Sequence, residues 1–211
     1  MFKIYTGTSG ILGPAGETIR KEIRDLHECE YVQQELTEIA ENVKQFKITH
    51  KPTKYTDIGA FNGSKTIIPK GTKIGWYVGR IRLDKKLPNK KSYLLALPTR
   101  VLFRKKYKIV IDGDCKKELK DVNNLCRFNH SCKPNCRVEK VRGPGKLLYA
   151  ISITKKPIRP GQELVWDYGP GYWNSRTRTR QLLAHRTKSK MLVKCRCNKS
   201  RKCPNGRTCW S

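Results

Sequence analysis

The strongest constraint on the fold is a change in hydrophobic period close to residue 50. Between Glu17 and Lys47 the apolar residues recur at steps of three and four, the spacing of an amphipathic helix. This pattern predicts either one long helix or a pair of helices. After Pro52 the apolar residues form short runs separated by glycine and proline, which is typical of strands joined by turns. The chain is therefore predicted to be mainly β, with a helical segment near its N-terminal end.

Individual elements follow from the same patterns. The predicted strands cover residues 73–79, 92–97, 107–111, 146–153 and 163–166. A short helix is predicted near residues 114–125. Residues 1–16, which are punctuated by glycine and proline, are predicted to be an irregular lead-in.

Charge is distributed unevenly along the 211 residues, which carry a formal net charge of +29. Residues 1–50 have six Lys or Arg against eight Asp or Glu, whereas residues 51–211 have 40 against nine. Residues 1–50 thus have a net charge of −2 and residues 51–211 a net charge of +31. Residues 51–211 are expected to attract polyanions such as DNA, RNA or nucleosomes. No apolar run approaches the length of a membrane span, and no signal-peptide core is found near Met1, so neither a membrane nor a secreted protein is expected.

Two segments of the basic part carry the most specific signal. The first, RFNHSCKPNC, spans residues 127–136, and the second, PGQELVWDYG, spans residues 160–169. Upstream, IPKGTKIGWYVG spans residues 68–79. In this order they resemble the NHSCxPN motif, the Glu-Leu run ending in Asp-Tyr, and the Ile-Pro-Lys-Gly stretch of SET-domain protein lysine methyltransferases. The resemblance covers roughly residues 55–210.

This resemblance implies a fold class, a reaction and a set of site residues. The fold is a set of small curved β-sheets around a pseudoknot, in which the NHSC segment threads beside the Asp-Tyr segment. The reaction is methyl transfer from S-adenosylmethionine to a lysine side chain. Tyr168 matches the family's catalytic tyrosine, and Tyr77 matches the tyrosine where the lysine channel meets the cofactor. Asn129 and His130 match the pair that holds the cofactor.

The first cofactor segment departs from the family pattern of Gly-x-Gly. It reads Asp57-Ile58-Gly59 here, so that Asp57 replaces the first glycine. Arg80 stands where a glutamate often follows the Tyr-Val-Gly strand. The resemblance implies that Trp166 lines the lysine channel, at a position where the family usually has Phe or Tyr. Because Trp is bulkier and carries an N–H donor, we expect a restricted channel that favours low methylation states.

Nine cysteines, an odd number, include a cluster of four near the C-terminal end, a pattern that favours metal binding over disulfides. The run CRCNKSRKC resembles the family's post-SET zinc motif and contains Cys195, Cys197 and Cys203. The resemblance makes Cys132 the fourth zinc ligand, which would pin the short basic tail over the active site. Cys209 is the alternative, since it completes a self-contained four-cysteine site. Trp210 would then pack on the cofactor's adenine.

These observations predict three segments and one leading function. The segments are an N-terminal helical segment (1–50), a SET domain (51–170) and a post-SET zinc-binding region (171–211). The predicted activity is S-adenosylmethionine-dependent methylation of a histone lysine in nucleosomes, in the nucleus and on the chromosome, aided by DNA contact through the basic surface. The alternatives are a methyltransferase of a non-histone protein and a non-catalytic chromatin or nucleic-acid binder on a SET scaffold. The N-terminal helix is a candidate surface for oligomerisation.

Overall fold

The computed structural model describes residues 1–9, 13–53, 58–84, 94–97, 108–113 and 125–169. The helices are α1 (Pro14–Glu28) and α2 (Glu30–Gln45). The strands are β1 (Tyr5–Ser9), β2 (Thr49–Lys51), β3 (Gly59–Phe61), β4 (Lys73–Trp76), β5 (Gly79–Asp84), β6 (Leu94–Leu97), β7 (Lys108–Asp112), β8 (Asn129–His130), β9 (Cys136–Arg142), β10 (Leu148–Thr154) and β11 (Glu163–Trp166). Neither described helix is long and apolar enough to cross a lipid bilayer.

The strands form three small sheets, so the predicted fold class is confirmed. Their orders are β1-β5-β7-β6, β4-β10-β9 and β2-β3-β11-β8. In the last sheet β8 pairs in parallel with β11, which aligns Asn129 with Val165 and His130 with Trp166. The NHSC segment therefore lies directly beside the segment that leads into Asp-Tyr.

The predicted strand at residues 73–79 is two strands in different sheets. β4 pairs with β10, whereas β5 pairs with β1 and β7. Tyr77 and Val78 make the transition and are buried like their neighbours. Since burial continues through the transition, the apolar pattern gives no sign of a break.

The prediction of an irregular lead-in is wrong for residues 5–9. These residues form β1, which pairs in parallel with β5, and Ile4 and Tyr5 are almost completely buried. The sequence of this strand, Tyr-Thr-Gly-Thr-Ser, shows little alternation of apolar and polar residues. Its partner strand lies more than 70 residues away in the chain. Strands β2, β3, β8 and β9 were likewise not predicted. The predicted helix at 114–125 lies outside the described residues except for Leu125, which begins a short 3-10 turn.

The N-terminal helical pattern is a pair of helices rather than one. Cys29 separates them, because its extended backbone (φ −71°, ψ 118°) ends α1 and begins α2. The apolar stripe of each helix is buried in the core, namely Ile19, Ile23 and Leu26 of α1 and Val32, Leu36, Ile39 and Val43 of α2. Both helices are thus amphipathic elements that complete the core.

Acidic side chains fasten this helical segment to the sheets. Glu35 of α2 forms an ion pair with Lys73 at 3.0 Å and accepts a hydrogen bond from the Tyr149 hydroxyl. Glu22 of α1 accepts hydrogen bonds from the backbone N–H groups of Lys146 (2.6 Å) and Leu147 (3.2 Å). Glu22 and Glu35, which belong to the net-negative segment 1–50, therefore make contacts within the fold, with residues of the basic segment 51–211.

Candidate active site

A buried asparagine holds the start of β11 in place. Asn135, which is 4% exposed, donates from Nδ2 to the Glu163 carbonyl at 2.8 Å and accepts from the Val165 N–H at 2.9 Å. Its side-chain amide thus pairs with the strand as another strand's backbone would. Sequence reasoning included Asn135 in the NHSCxPN motif but gave it no role.

The backbone carbonyl of Phe128 joins the two aromatic residues of the Asp-Tyr segment. It accepts a hydrogen bond from the Tyr168 hydroxyl at 3.1 Å and another from the Trp166 Nε1–H at 2.9 Å. The centroids of the two rings lie 5.0 Å apart, with an angle of 57° between their planes. Phe128 itself is fully buried, so this carbonyl is fixed in the core.

His130 packs on the other side of Tyr168. Its ring centroid lies 5.3 Å from that of Tyr168, and its Nδ1 accepts the Tyr168 backbone N–H at 3.2 Å. Burial lowers the pKa of His130, while Asp167, whose Oδ1 is 3.6 Å from Nδ1, acts in the opposite direction. The imidazole is therefore neutral at pH 7, with its proton on Nε2, which lies 3.3 Å from the Cys132 sulfur.

Asn129 lies between the cofactor segment and β11. Its Nδ2 donates to the Glu163 Oε1 at 2.6 Å and approaches the Ile58 carbonyl oxygen at 3.3 Å. Gly59 packs directly against this group: a Cβ atom there would come within 2.4 Å of the Glu163 Oε1 and 2.8 Å of the Asn129 Nδ2. Only glycine allows so close an approach. Of the residues predicted to hold the cofactor, Ile58, Gly59 and Asn129 thus meet, and Glu163 is an addition that the sequence did not single out.

Tyr77 lies after β4 with its backbone N–H bonded to the Ala150 carbonyl at 2.8 Å. Its buried ring and the Cys126 side chain both lie against Gly113, where an added Cβ would meet them at 3.1 and 3.2 Å. Cys126 belongs to the 3-10 turn that leads into Phe128. Tyr77 and Tyr168 therefore lie near the same segment of the chain. Tyr77 approaches the turn before Phe128, and Tyr168 contacts the Phe128 carbonyl.

The remaining predicted site residues fall outside the described part of the chain. They are Asp57, Cys195, Cys197, Cys203, Cys209 and Trp210. Cys132 is described, is partly exposed, and contacts His130. Within the described residues, no three His, Cys, Asp or Glu side chains cluster as metal ligands. The zinc site therefore stays a prediction, and thiolate is the ligand type that suits zinc.

The side chains gathered here fit a cationic methyl donor such as S-adenosylmethionine. Asn129 is uncharged, His130 is neutral, and Glu163 and Asp167 are carboxylates. In a chain of net charge +29, both contact pairs, Asn129 with Glu163 and His130 with Asp167, are neutral or acidic. Groups of this kind do not repel a sulfonium or an ammonium group.

Comparisons with known proteins identify a family and several relatives. The family model described as "SET domain" matches residues 63–169, half of the chain. Histone-lysine N-methyltransferase ash1 of Drosophila melanogaster is 28% identical over 174 residues, which are 81% of this chain and 7% of that protein. The H3 lysine-4 specific histone-lysine N-methyltransferase of Schizosaccharomyces pombe is 30% identical over 120 residues, 56% of this chain and 12% of that protein.

A solved structure, the crystal structure of KRYPTONITE in complex with mCHG DNA and SAH, matches with a TM-score of 0.46 and 22% identity. That match covers 59% of this chain and 24% of the other, and is too weak to bear on function. The chain spans only a small part of the length of the curated relatives it matches. With a family match over half of its residues, and with its two motif segments paired in space, the chain belongs to the SET domain family.

Proposed function

We propose that this protein is an S-adenosylmethionine-dependent protein-lysine N-methyltransferase that acts on a histone lysine in nucleosomes. The observation that carries the proposal is the β8–β11 pairing, which sets Asn129 beside Val165 and brings His130 together with Trp166 and Tyr168. Membership of the SET domain family and relatives named as histone-lysine N-methyltransferases support it.

The chain's own residues would align the lysine and keep it reactive. When bound, the cofactor supplies the activated methyl group. A lysine amine must lose its proton before it can attack, although its ordinary pKa is about 10.4. Aromatic walls such as Trp166 and Tyr168 would disfavour the charged ammonium by excluding water. In-line attack then depends on orientation more than on acid–base chemistry.

Tyr168 has the hydrogen-bonding state that this role requires. Its single hydroxyl hydrogen is donated to the Phe128 carbonyl, so towards an amine its oxygen can act only as an acceptor. An amine that donates an N–H to this oxygen keeps its lone pair free for the methyl carbon. We therefore propose Tyr168 as the catalytic residue, with Tyr77 at the junction of channel and cofactor.

A zinc-bound tail would complete the site. We propose Cys132, Cys195, Cys197 and Cys203 as ligands, with Cys209 as the alternative fourth ligand. Cys132 lies beside His130, so a metal there would anchor residues 171–211 next to the cofactor residues. Trp210, and Asp57 with Ile58 and Gly59, would then contact the cofactor. The division into residues 1–50, 51–170 and 171–211 is proposed on the same basis.

A rigid basic surface supports the nucleosome as substrate. Two turns, residues 65–72 and 154–162, are joined by reciprocal backbone hydrogen bonds of 2.9 Å between Ile68 and Ile158. Neither turn contains Asp or Glu, and their exposed cations are Lys65, Lys70, Lys155, Lys156 and Arg159. We name this surface the basic double turn and propose that it contacts nucleosomal DNA. A nuclear, chromosomal location follows from such a substrate, and self-association through the N-terminal helices is a further proposal.

The test is transfer of labelled methyl groups to recombinant nucleosomes by protein expressed with zinc and handled without chelators. We expect label on one histone, and loss of that label with Tyr168→Phe, which removes the hydroxyl but keeps the ring. Tyr31→Phe is the matched control, because Tyr31 is an exposed tyrosine of α2. Absence of both label and cofactor binding would instead favour the non-catalytic scaffold. Cofactor binding without label on nucleosomes would point to a non-histone substrate.

A further inference from the structure

The orientation of the Asn129 side-chain amide is determined by its neighbours. Nδ2 faces the Glu163 Oε1 at 2.6 Å and the Ile58 carbonyl oxygen at 3.3 Å, and both of these atoms are acceptors. An amide has donors only on its nitrogen, so the reversed orientation would place Oδ1 against two other oxygens. The nitrogen must therefore face this pair, which leaves Oδ1 as the end available to a ligand.

Glu163 is the stronger of the two acceptors. Its contact with Nδ2 is short and involves a carboxylate, whereas the Ile58 contact is long and neutral. Gly59 closes the space behind the pair, since even a methyl group would collide with both side chains. The Glu163 carboxylate is thus packed in place where it holds the Asn129 amide.

The side chain and the backbone of Glu163 have separate functions. Its carbonyl accepts from Asn135, and β11 pairs with β3 through its backbone. These contacts fix the strand without the carboxylate. Removing only the carboxylate is therefore expected to leave β11 in register.

We infer that Glu163 is a positioning residue for the cofactor, an inference that rests on the proposed function. By holding Nδ2, it presents the Asn129 Oδ1 to a donor group, and the α-ammonium of S-adenosylmethionine or S-adenosylhomocysteine is a donor of that kind. Without Glu163 only the long contact with the Ile58 carbonyl orients the amide, and either end can face the ligand. Loss of Glu163 is therefore expected to weaken cofactor binding and to change the rate of methyl transfer little.

The probe is S-adenosylhomocysteine, whose Kd is measured by calorimetry on the full chain, alongside KM and kcat for S-adenosylmethionine. Glu163→Leu, which keeps bulk but removes the acceptor, should raise Kd and KM roughly tenfold or more. Its kcat should change by less than about threefold, as expected for lost ground-state binding. Glu163→Gln keeps an oxygen that can accept from Nδ2 and should restore Kd to within about threefold of wild type.

A double-mutant cycle separates positioning from general damage. If Glu163 acts through Asn129, the pair Glu163→Leu with Asn129→Ala should bind no more weakly than Asn129→Ala alone. Glu139→Leu on β9, which removes a partly exposed carboxylate that pairs with Arg137, should leave Kd unchanged. Thermal unfolding of each variant verifies that it is folded.

The outcomes are distinct. Additive losses in the cycle, or a Glu163→Leu variant that binds like wild type, would overturn the positioning role and leave the proposed function intact. A Glu163→Gln variant as weak as Glu163→Leu would also overturn it, because charge rather than orientation would then matter. Wild-type protein that neither binds S-adenosylhomocysteine nor transfers methyl groups would overturn the proposed function itself.

Discussion

At the residue scale, the aromatic pair near the proposed lysine channel is held by polar contacts as well as by packing. Trp166 and Tyr168 donate to the same Phe128 carbonyl, which lies in the buried core. A side chain anchored at its polar end has less freedom to swing away from a growing substrate. The indole is therefore expected to limit how many methyl groups fit beside Tyr168.

Trp166→Phe should shift the product towards higher methylation states. Phe is smaller and lacks the N–H that bonds to Phe128, so the channel gains both volume and freedom. Mass spectrometry of product peptides should find mainly monomethyl-lysine for wild type and more di- and trimethyl-lysine for the variant. Trp166→Tyr, which reduces size but keeps a polar hydrogen, separates the two causes. Predominant trimethylation by the wild-type protein would refute the restricted channel.

At the element scale, α1 is attached to the loop between β9 and β10 by contacts of two kinds. Glu22 accepts from the backbone N–H groups of Lys146 and Leu147, and an added Cβ at Gly143 would lie 2.1 Å from the Leu26 side chain. The loop thus provides both donors and a close-packed surface. The helix is therefore attached to the sheet through the loop that joins its strands β9 and β10.

Glu22→Ala should lower the free energy of unfolding by about 1–2 kcal/mol, because two backbone donors lose a charged acceptor. For a chain of this size, that is a fall in Tm of about 2–8 °C. Glu28→Ala, at an exposed position of the same helix, makes the same substitution and should leave Tm nearly unchanged. For both variants, chemical unfolding followed by circular dichroism measures the free energy of unfolding, and thermal unfolding measures Tm. Equal Tm values for the two variants would show that the Glu22 contacts contribute little.

At the scale of the whole molecule, the separation of charge affects which substrates can approach. Residues 51–211 carry a net charge of +31, and histone tails are basic as well. Like charges repel, so we expect an isolated tail peptide to be a poor partner, whereas nucleosomal DNA would supply the opposite charge. The basic double turn offers a fixed surface for such attraction.

Nucleosomes should be methylated faster than free histone peptides, with a much steeper loss of activity as salt rises. Replacing Lys155 and Lys156 by Ala should reduce the slope of log affinity against log salt by about two. The matched control replaces Lys21 and Lys44, two exposed lysines of the helices, and should leave the slope unchanged. Binding to nucleosomes across a salt series measures this. Equal activity on both substrates at low and moderate salt would contradict the proposed DNA contact.

Zinc should link the C-terminal tail to the rest of the chain. Protein purified without chelators should contain about one zinc ion per chain, held by four thiolates. Elemental analysis should find this metal lost in Cys132→Ser and retained in Cys209→Ser, with Cys29→Ser as a control. The opposite result for Cys132 and Cys209 would favour the self-contained four-cysteine site.

Much of the fold could be predicted because its signals are local. The helical period between Glu17 and Lys47, the glycine and proline punctuation, and the apolar runs of β6, β7, β10 and β11 each reflect neighbouring residues. Strands that depend on a distant partner were not predicted, β1 among them. β9 was missed for a different reason, because only one of its seven residues is buried and its apolar pattern is weak.

By itself, the sequence determined the fold class and the family, and it singled out Asn129, His130, Trp166 and Tyr168 as candidates, since these depend on residue type and order. Tertiary structure alone decided how those residues meet. The Phe128 carbonyl, the Asn135 amide and the Glu163 carboxylate each act across 28 to 40 residues of chain. Hydrogen bonds between residues so far apart in the chain leave no periodic pattern in the sequence, because their geometry exists only after β8 and β11 have paired.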